Sequence, residues 1–331
     1  MSIRHRWGRW AFGSAVVLLA ATLATGCGVT RGEDPAGLHR LRMMVPNSPG
    51  GGYDLTARTA VKIMEDDDIT GRVEVFNVLG AGGTVAMARL INERGNGDLM
   101  MTMGLGVVGS VFTNGSSARA SDATALAKLI EDPGAVFVPA DSPFKTIDDL
   151  VAAWKADPSK VTVGGGSSPG GPDHLFPMEL ARAVGVDPKS VNYITYDGGG
   201  DLLTALLGKK ITVGTSSPGE LIDQIEAGQL RVLAVSGEER VEGIDAPTLK
   251  ESGIDLTFAN WRGVLAPPGI SDKDKNAMVK ALEEMHGTPQ WKEALVTNGW
   301  TDAFMTGADF EKFLKDQDNR VSSTLTELGL V

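Results

Sequence analysis

Three consecutive glycines, Gly50 to Gly52, separate a short apolar segment from an amphipathic helical pattern. Glycine leaves the backbone N–H groups of such a loop open to a ligand, and the positive end of the helix dipole favours a negative charge. The polar residues Asn47 and Ser48 precede the glycines. Asp54 follows in the first helical turn, where it either stabilises the helix dipole or accepts a hydrogen bond from a ligand hydroxyl. The segment therefore predicts a binding site for a carboxylate or a phosphate.

The same order of apolar segment, glycine-rich loop and helical pattern recurs along the chain. Further loops of this kind lie at residues 80–83, 104–106, 164–171, 197–200 and 214–217. Strand, glycine loop and helix form the βα unit of an open parallel sheet, in which ligands bind outside the carboxyl ends of the strands. The chain is therefore predicted to have an α/β fold with its ligand site at a glycine-rich sheet edge.

Capping signals mark several helix starts. Ser217-Pro-Gly-Glu220 has the pattern of a capping box with proline at the first helical position. Ser271 and Thr288 are expected to begin two C-terminal helices, and Thr306 the last one, which runs from about residue 308 to 328.

Two extended segments, residues 136–139 and 264–268, have no helix directly after them and are interpreted as crossings between two lobes. We therefore expect a first lobe of residues 41–138 and 240–331 and a second lobe of residues 139–239.

The N-terminal residues have the pattern of a secretory signal peptide. Three arginines precede an apolar run from Trp10 to Leu23, which is shorter than the about 20 residues that a membrane-spanning helix needs. Residues 1–26 are predicted to be the signal, and residues 27–40 a tether. Cys27 is the only cysteine and lies where bacterial lipoproteins carry their lipidated cysteine; the alternative is a cysteine that is removed with the signal. The chain is predicted to be exported and anchored to the outer face of the cell membrane through lipidated Cys27.

Charge and histidine content exclude two classes of partner. The formal net charge of −11 becomes −14 when the signal and its three arginines are removed, so nucleic acid is not expected to bind. The four histidines lack partners at metal-ligand spacing, so neither a metal nor another cofactor is expected.

Two motifs are typical of enzymes, but neighbouring residues argue against an enzymatic role for each. Gly166-Ser-Ser-Pro-Gly170 matches the hydrolase pattern, but Pro169 has no N–H to donate to an oxyanion. The stretch 104–109 matches the dinucleotide fingerprint, but residues 114–117 interrupt the helix that such a site requires. We therefore expect no enzyme, and a secreted esterase that uses Ser168 stays as an alternative.

Several segments together have the character of a known family. They are Val45-Pro-Asn-Ser-Pro-Gly-Gly-Gly-Tyr-Asp54 with Ala57-Arg58, Gly80-Ala-Gly-Gly-Thr84, the loop at 164–171 with His174-Leu175, Ala246-Pro-Thr248 with Glu251-Ser-Gly253, and Asn260-Trp-Arg-Gly-Val264. In order and spacing they resemble the extracytoplasmic solute receptors of tripartite tricarboxylate transporters, often called Bug-type proteins. The resemblance covers nearly all of the chain beyond the tether. It implies a two-lobed fold like that of type II periplasmic binding proteins, with a ligand cleft between the lobes.

The resemblance also implies the site and the function. The implied binding residues are Asn47, Ser48, Gly50, Gly51, Gly52, Tyr53, Asp54, Gly80, Ala81, Gly82, Thr84, Ser167, Ser168, Asp197, Gly198 and Gly199. The implied protein is a monomeric lipoprotein that captures a small carboxylate, a citrate-like tricarboxylate or a dicarboxylate, and delivers it to the membrane subunits of a transporter. A receptor that senses its ligand without transport is the alternative. Where the family often has Tyr-Lys-Gly, this chain has Tyr196-Asp-Gly198, an acid in place of a cation.

Overall fold

The computed structural model describes residues 40–196 and 198–331 of the chain. The strands are β1 (Arg42–Val45), β2 (Glu74–Asn77), β3 (Leu99–Gly104), β4 (Thr124–Pro133), β5 (Ala135–Pro139), β6 (Thr162–Gly165), β7 (Asn192–Thr195), β8 (Val213–Ser216), β9 (Leu230–Val235), β10 (Ala259–Ala266) and β11 (Thr301–Thr306). The α-helices are α1 (Gly52–Asp66), α2 (Thr84–Asn92), α3 (Leu105–Thr113), α4 (Ile147–Ala156), α5 (Pro172–Ala183), α6 (Gly199–Leu207), α7 (Ile222–Glu226), α8 (Asp272–Gly287), α9 (Pro289–Thr297) and α10 (Gly307–Leu328). This content confirms the predicted α/β class.

The first sheet has six strands in the order β11, β4, β10, β3, β1, β2. β1 pairs in parallel with β2 and β3, and α1 and α2 connect these strands along the chain. The other half is antiparallel, since β10 runs antiparallel to both β3 and β4, and β11 antiparallel to β4. The glycine loops predicted the parallel half alone, because the antiparallel strands are not followed by a glycine loop and a helix.

The second sheet has five strands in the order β7, β6, β8, β5, β9. β6 pairs in parallel with β7 and β8, whereas β5 is antiparallel to β8 and β9. Each sheet has a buried cluster of its own, and a third cluster contains residues of both sheets. The chain thus forms the two lobes that the resemblance implied.

The chain crosses between the sheets at Gly134, between β4 and β5. The Gly134 amide donates a 2.8 Å hydrogen bond to Oγ of Ser236, and this hydroxyl donates to the carbonyl oxygen of Phe258 just before the chain re-enters the first sheet. One buried serine therefore ties both crossings together. The expected crossing at 264–268 is wrong, because β10 lies wholly within the first sheet.

The helix periodicity and two of the four capping signals are confirmed. The apolar face predicted for α1 is buried, with Ala57, Ala60 and Met64 fully shielded from solvent. Ser271 and Thr288 cap α8 and α9, and each hydroxyl accepts a hydrogen bond from an amide of the first turn. α10 begins directly after Thr306, but the Thr306 side chain makes no capping hydrogen bond.

The capping box at 217–220 is wrong. Ser217 donates instead to Oδ1 of Asp132, and Oε2 of Glu220 accepts a 2.9 Å hydrogen bond from Ser216. A short 3₁₀ turn, Pro218–Leu221, replaces the expected first turn of a long helix. Both side chains face the region between the sheets, where other polar partners compete for them.

Several sequence predictions fall outside the described residues. The residues that are not described are those of the predicted signal at 1–26, Cys27, the rest of the tether up to residue 39, and Asp197. Within the described ranges, no helix is both long enough and apolar enough to cross a membrane.

We expect Leu282→Ala in α8 to lower the free energy of unfolding by about 2 to 5 kcal/mol, because this leucine is fully buried and its truncation leaves a cavity. Val296→Ala in α9 is the control, since that valine is 80% exposed and should change stability by no more than about 0.5 kcal/mol. Urea unfolding followed by circular dichroism measures both values. Equal effects of the two variants would contradict the assigned core.

Candidate functional site

A cleft of about 440 Å³ lies between the two sheets, at the carboxyl ends of the parallel strands. Its wall includes eight of the residues that the sequence singled out, drawn from both lobes. These are Asn47, Ser48, Gly52, Tyr53, Gly80, Gly82, Ser167 and Ser168. The other described candidates lie behind or beside the wall: Gly50, Gly51, Asp54, Ala81, Thr84, Gly198 and Gly199.

The loop before α1 is braced from behind by Asp54. Its carboxylate accepts hydrogen bonds of 2.9 Å from the Gly50 amide, from Nδ2 of Asn77 and from Nε of Arg58. Asn77 also donates to the carbonyl oxygen of Asn47, which closes the loop onto β2. In this geometry the Asp54 carboxylate binds the protein's own loop.

This network sets the ionisation of Asp54. Although its burial favours the neutral form, the hydrogen bonds from Arg58, Gly50 and Asn77 hold the pKa of Asp54 below its usual value. The loop is therefore held by a carboxylate that stays charged at neutral pH.

The second loop packs its glycines against α3. Gly82 has φ +61°, and a Cβ built there would lie 2.1 Å from Oγ of Ser110. A Cβ on Gly83, at φ +92°, would lie 2.8 Å from Cγ2 of Val107. Both positions therefore require glycine, and the start of α2 is brought to the edge of the cleft.

Tyr53 places its hydroxyl at the start of α3. Burial raises the pKa of Tyr53, although Arg262 and the amides of Val107 and Gly106 act in the opposite direction. The hydroxyl lies 2.9 Å from the position that a Cβ on Gly106 would occupy, and both residues line the cleft, so the hydroxyl can donate a hydrogen bond to an acceptor there.

Arg262 is a cleft residue that reasoning from the sequence missed. It lies on β10, is 7% exposed, and is the only lysine or arginine among the described residues of the cleft wall. Its Nη2 lies 3.3 Å from Oδ2 of Asp132, and a Cβ on Gly52 would lie 2.8 Å from the same nitrogen. The sequence showed no clear arginine clamp, yet an arginine inside a strand that is otherwise apolar was the available signal.

Three acids of the wall were also missed, namely Asp132, Asp173 and Glu220. Burial raises the pKa of Asp132, while Arg262 and the Ser217 hydroxyl oppose this shift. Burial raises the pKa of Asp173 well above its usual value, and the charge of Glu220 adds to the effect. The position of Asp173 directly after the glycine-serine loop was the signal, whereas Glu220 was hidden in the apparent capping box.

Ser168 does not have the surroundings of a catalytic serine. Nδ1 of His174 accepts a 3.2 Å hydrogen bond from the Gly170 amide, and its ring packs edge-on against Tyr193 with centroids 4.8 Å apart. Burial lowers the pKa of His174 to about 4, so it is neutral at physiological pH. Among the described hydrogen bonds, none joins Ser168 to a histidine.

No cluster of three or more histidine, cysteine, aspartate or glutamate residues in the described ranges has the geometry to hold a metal ion. The described wall offers hydrogen-bond donors, one guanidinium and several carboxyl groups, all of which can contact a small polar ligand.

The two lobes touch through bare backbone beside the cleft. Gly109 of α3 faces Gly170 of the loop before α5, and a Cβ on Gly109 would lie 1.7 Å from the carbonyl oxygen of Gly170. A side chain of any size at position 109 is incompatible with this contact.

Comparisons with known proteins relate this chain to a receptor family. A family model described as "Tripartite tricarboxylate transporter family receptor" matches residues 57–330. A Cupriavidus necator protein named "UPF0065 protein in gbd 5'region" is 27% identical over 323 residues, which cover 95% of each chain.

Solved structures share the fold. A TctC solute-binding protein from Polaromonas, solved without ligand, is 26% identical with a TM-score of 0.73, and the match covers 87% of this chain and 98% of that one. MatC from Rhodopseudomonas palustris, solved with bound malate, has a TM-score of 0.70 at 19% identity, covering 87% and 99% of the two chains.

We expect Asp54→Asn to lower the free energy of unfolding by about 1 to 3 kcal/mol at pH 7, because the variant loses charged hydrogen bonds to the loop. The lowered pKa of Asp54 stabilises the fold fully above the ordinary aspartate value of about 3.9, and this stability is lost as the pH falls through the folded-state pKa. The difference between native protein and variant should therefore shrink below about pH 4. Urea unfolding at pH 7 and pH 3 measures it.

The matched control is Asp201→Asn, since Asp201 is also the third residue of its helix but is exposed. It should change stability by no more than about 0.5 kcal/mol at either pH. A loss for Asp54→Asn that does not depend on pH would contradict the role of its charge.

We expect Gly109→Ala to separate the lobes, because the added Cβ collides with the Gly170 carbonyl. Alanine is the better helix former by about 1 kcal/mol, so α3 itself should not be weakened. Small-angle X-ray scattering should show a larger radius of gyration for the variant. Gly287→Ala, where a Cβ meets open space, should match the native value. An unchanged radius for Gly109→Ala would show that the contact does not hold the lobes together.

Proposed function

Because this chain belongs to the receptor family of tripartite tricarboxylate transporters, we propose that it captures a small organic carboxylate in the cleft and delivers it to the membrane subunits of such a transporter. The family members matched here are solute-binding receptors, which favours binding over catalysis. As the resemblance implies, the proposed ligand is a citrate-like tricarboxylate or a dicarboxylate. Of the fold neighbours, MatC binds malate, a dicarboxylate.

The observation that carries this proposal is the set of donors on one side of the cleft. The Arg262 guanidinium and the Tyr53 hydroxyl face the cleft beside Gly52, and the glycine loop before α2 ends at the same edge. Arginine binds carboxylates through paired hydrogen bonds, and a helix N-terminus favours negative charge. Together these groups form a receptor for one carboxylate.

The energetics are adequate for a receptor. A hydrogen bond to a charged oxygen contributes about 1.5 to 3 kcal/mol, and micromolar affinity corresponds to about 8 kcal/mol. Four or five such bonds therefore suffice after the cost of ordering the ligand. Exposed surface acids lie in solvent and are screened over about 8 Å at physiological salt, so the net negative charge of the chain does not prevent anion binding.

Location and attachment form a second part of the proposal. The signal pattern at 1–26 and the position of Cys27 support export and lipid anchoring at the outer face of the cell membrane. A monomer is proposed as well, with the transporter subunits as its protein partners.

We expect the purified protein to bind at least one member of a panel of mono-, di- and tricarboxylates that includes citrate, as measured by isothermal titration calorimetry. Gly52→Ala should weaken that binding about ten- to hundredfold, because the added Cβ displaces the Arg262 guanidinium. Gly287→Ala should bind as the native protein does. Absence of binding to every carboxylate would contradict the proposed function.

A further inference from the structure

The cleft wall is divided by charge. The first lobe contributes the donors, namely Arg262, the Tyr53 hydroxyl and the start of α3. The side formed by the second lobe contributes Asp173 and Glu220. Of the described wall residues, three are acids and one is a cation. This division bears on the class of ligand that the cleft accepts.

The single cation already has a carboxylate partner. Arg262 pairs with Asp132, and both are 7% exposed. Its charge is therefore largely balanced before a ligand enters, and the carboxylates of Asp173 and Glu220 are left without a cation of the wall beside them.

Two of the loops expected to bind a ligand anion in the second lobe lie beside carboxyl groups of the protein. Oε2 of Glu220 lies 3.0 Å from the position that a Cβ on Gly199 would occupy, at the start of α6. The Asp173 amide donates a 3.0 Å hydrogen bond to the Ser167 hydroxyl, and this hydroxyl and the Gly166 amide act to lower the pKa of the Asp173 carboxyl. A second ligand carboxylate on this side would therefore meet two acidic side chains of the protein.

We propose that the ligand carries a cationic nitrogen in addition to its carboxylate. The carboxylate binds at Arg262 and Tyr53, and the nitrogen binds against Asp173 and Glu220. The ligand class is an amino acid or another amine-bearing organic acid. This inference rests on the proposed function, the capture of a small organic carboxylate. It changes the expected ligand from a di- or tricarboxylate to a zwitterion.

A dicarboxylate ligand in the same cleft predicts a different proton change on binding. A protonated Asp173 would donate to a second ligand carboxylate, because its pKa is raised by burial and by Glu220. Binding of a dicarboxylate would then take up a proton to the extent that Asp173 is ionised in the free protein, whereas binding of an ammonium group would take up none and would release any proton that Asp173 holds. Calorimetry in buffers of different ionisation enthalpy separates the two cases.

The first test is a ligand series of one chain length. Pentanoate, glutarate, 5-aminopentanoate and 2-aminopentanoate share five carbons and differ only in a methyl, carboxylate or ammonium group; four- and six-carbon series cover other spans. We expect the tightest aminocarboxylate to bind the purified protein at least about tenfold more tightly than the dicarboxylate of equal length, without proton uptake. A dicarboxylate that binds equally well or better overturns the inference. Binding of monocarboxylates alone also overturns it but leaves the proposed function standing, and no binding of any carboxylate removes both.

The second test uses charge-neutralising variants. Glu220→Gln keeps an acceptor for Ser216, and Asp173→Asn keeps the shape of the wall. Each should lower the ratio of aminocarboxylate to dicarboxylate affinity about tenfold. Glu226→Gln, an exposed change outside the wall, should leave the ratio unchanged. Because general damage to the fold weakens both ligands together, an unchanged ratio in both wall variants overturns the inference.

Discussion

The buried ion pair between Arg262 and Asp132 lies where the parts of the molecule meet. Arg262 belongs to β10 of the first sheet, and Asp132 ends β4 just before the chain crosses at Gly134. Ser217, which follows β8 of the second sheet, donates to the same carboxylate. Removing two charges from water is costly, so such a pair persists only when the surrounding chain holds both partners in place. Here the segments that hold the two partners form the junction of the lobes, and both residues of the pair line the cleft.

A second theme is that glycine-rich helix starts are occupied by the protein's own carboxylates. Asp54 receives the Gly50 amide, and the Gly166 amide acts to lower the pKa of Asp173. Glu220 lies against the start of α6. A helix N-terminus favours negative charge from any source, so an internal acid competes with a ligand for it. The starts of α2 and α3 have no such acid in their first turns, and these two helices bound the donor side of the cleft.

The sequence predicted the features that depend on neighbouring residues. The apolar period of α1, the caps of α8 and α9, and the parallel βα units all follow from local patterns, and all are present. The antiparallel strands β4, β10 and β11 were not predicted, because pairing between residues about 130 to 180 positions apart leaves no local mark. The box at 217–220 failed for the same reason, since Asp132 is the distant acceptor that draws Ser217 away.

The site residues divide in the same way. Glycine loops identified the loops around the cleft, because close backbone approach has a local signature. Arg262 and Glu220 were not identified, because their roles depend on which strand ends face each other across the lobes. In the proposed mode of binding, an arginine paired with Asp132 faces two acids that have no cation of the described wall beside them. The proposed selectivity therefore depends on these acids as much as on the glycine loops.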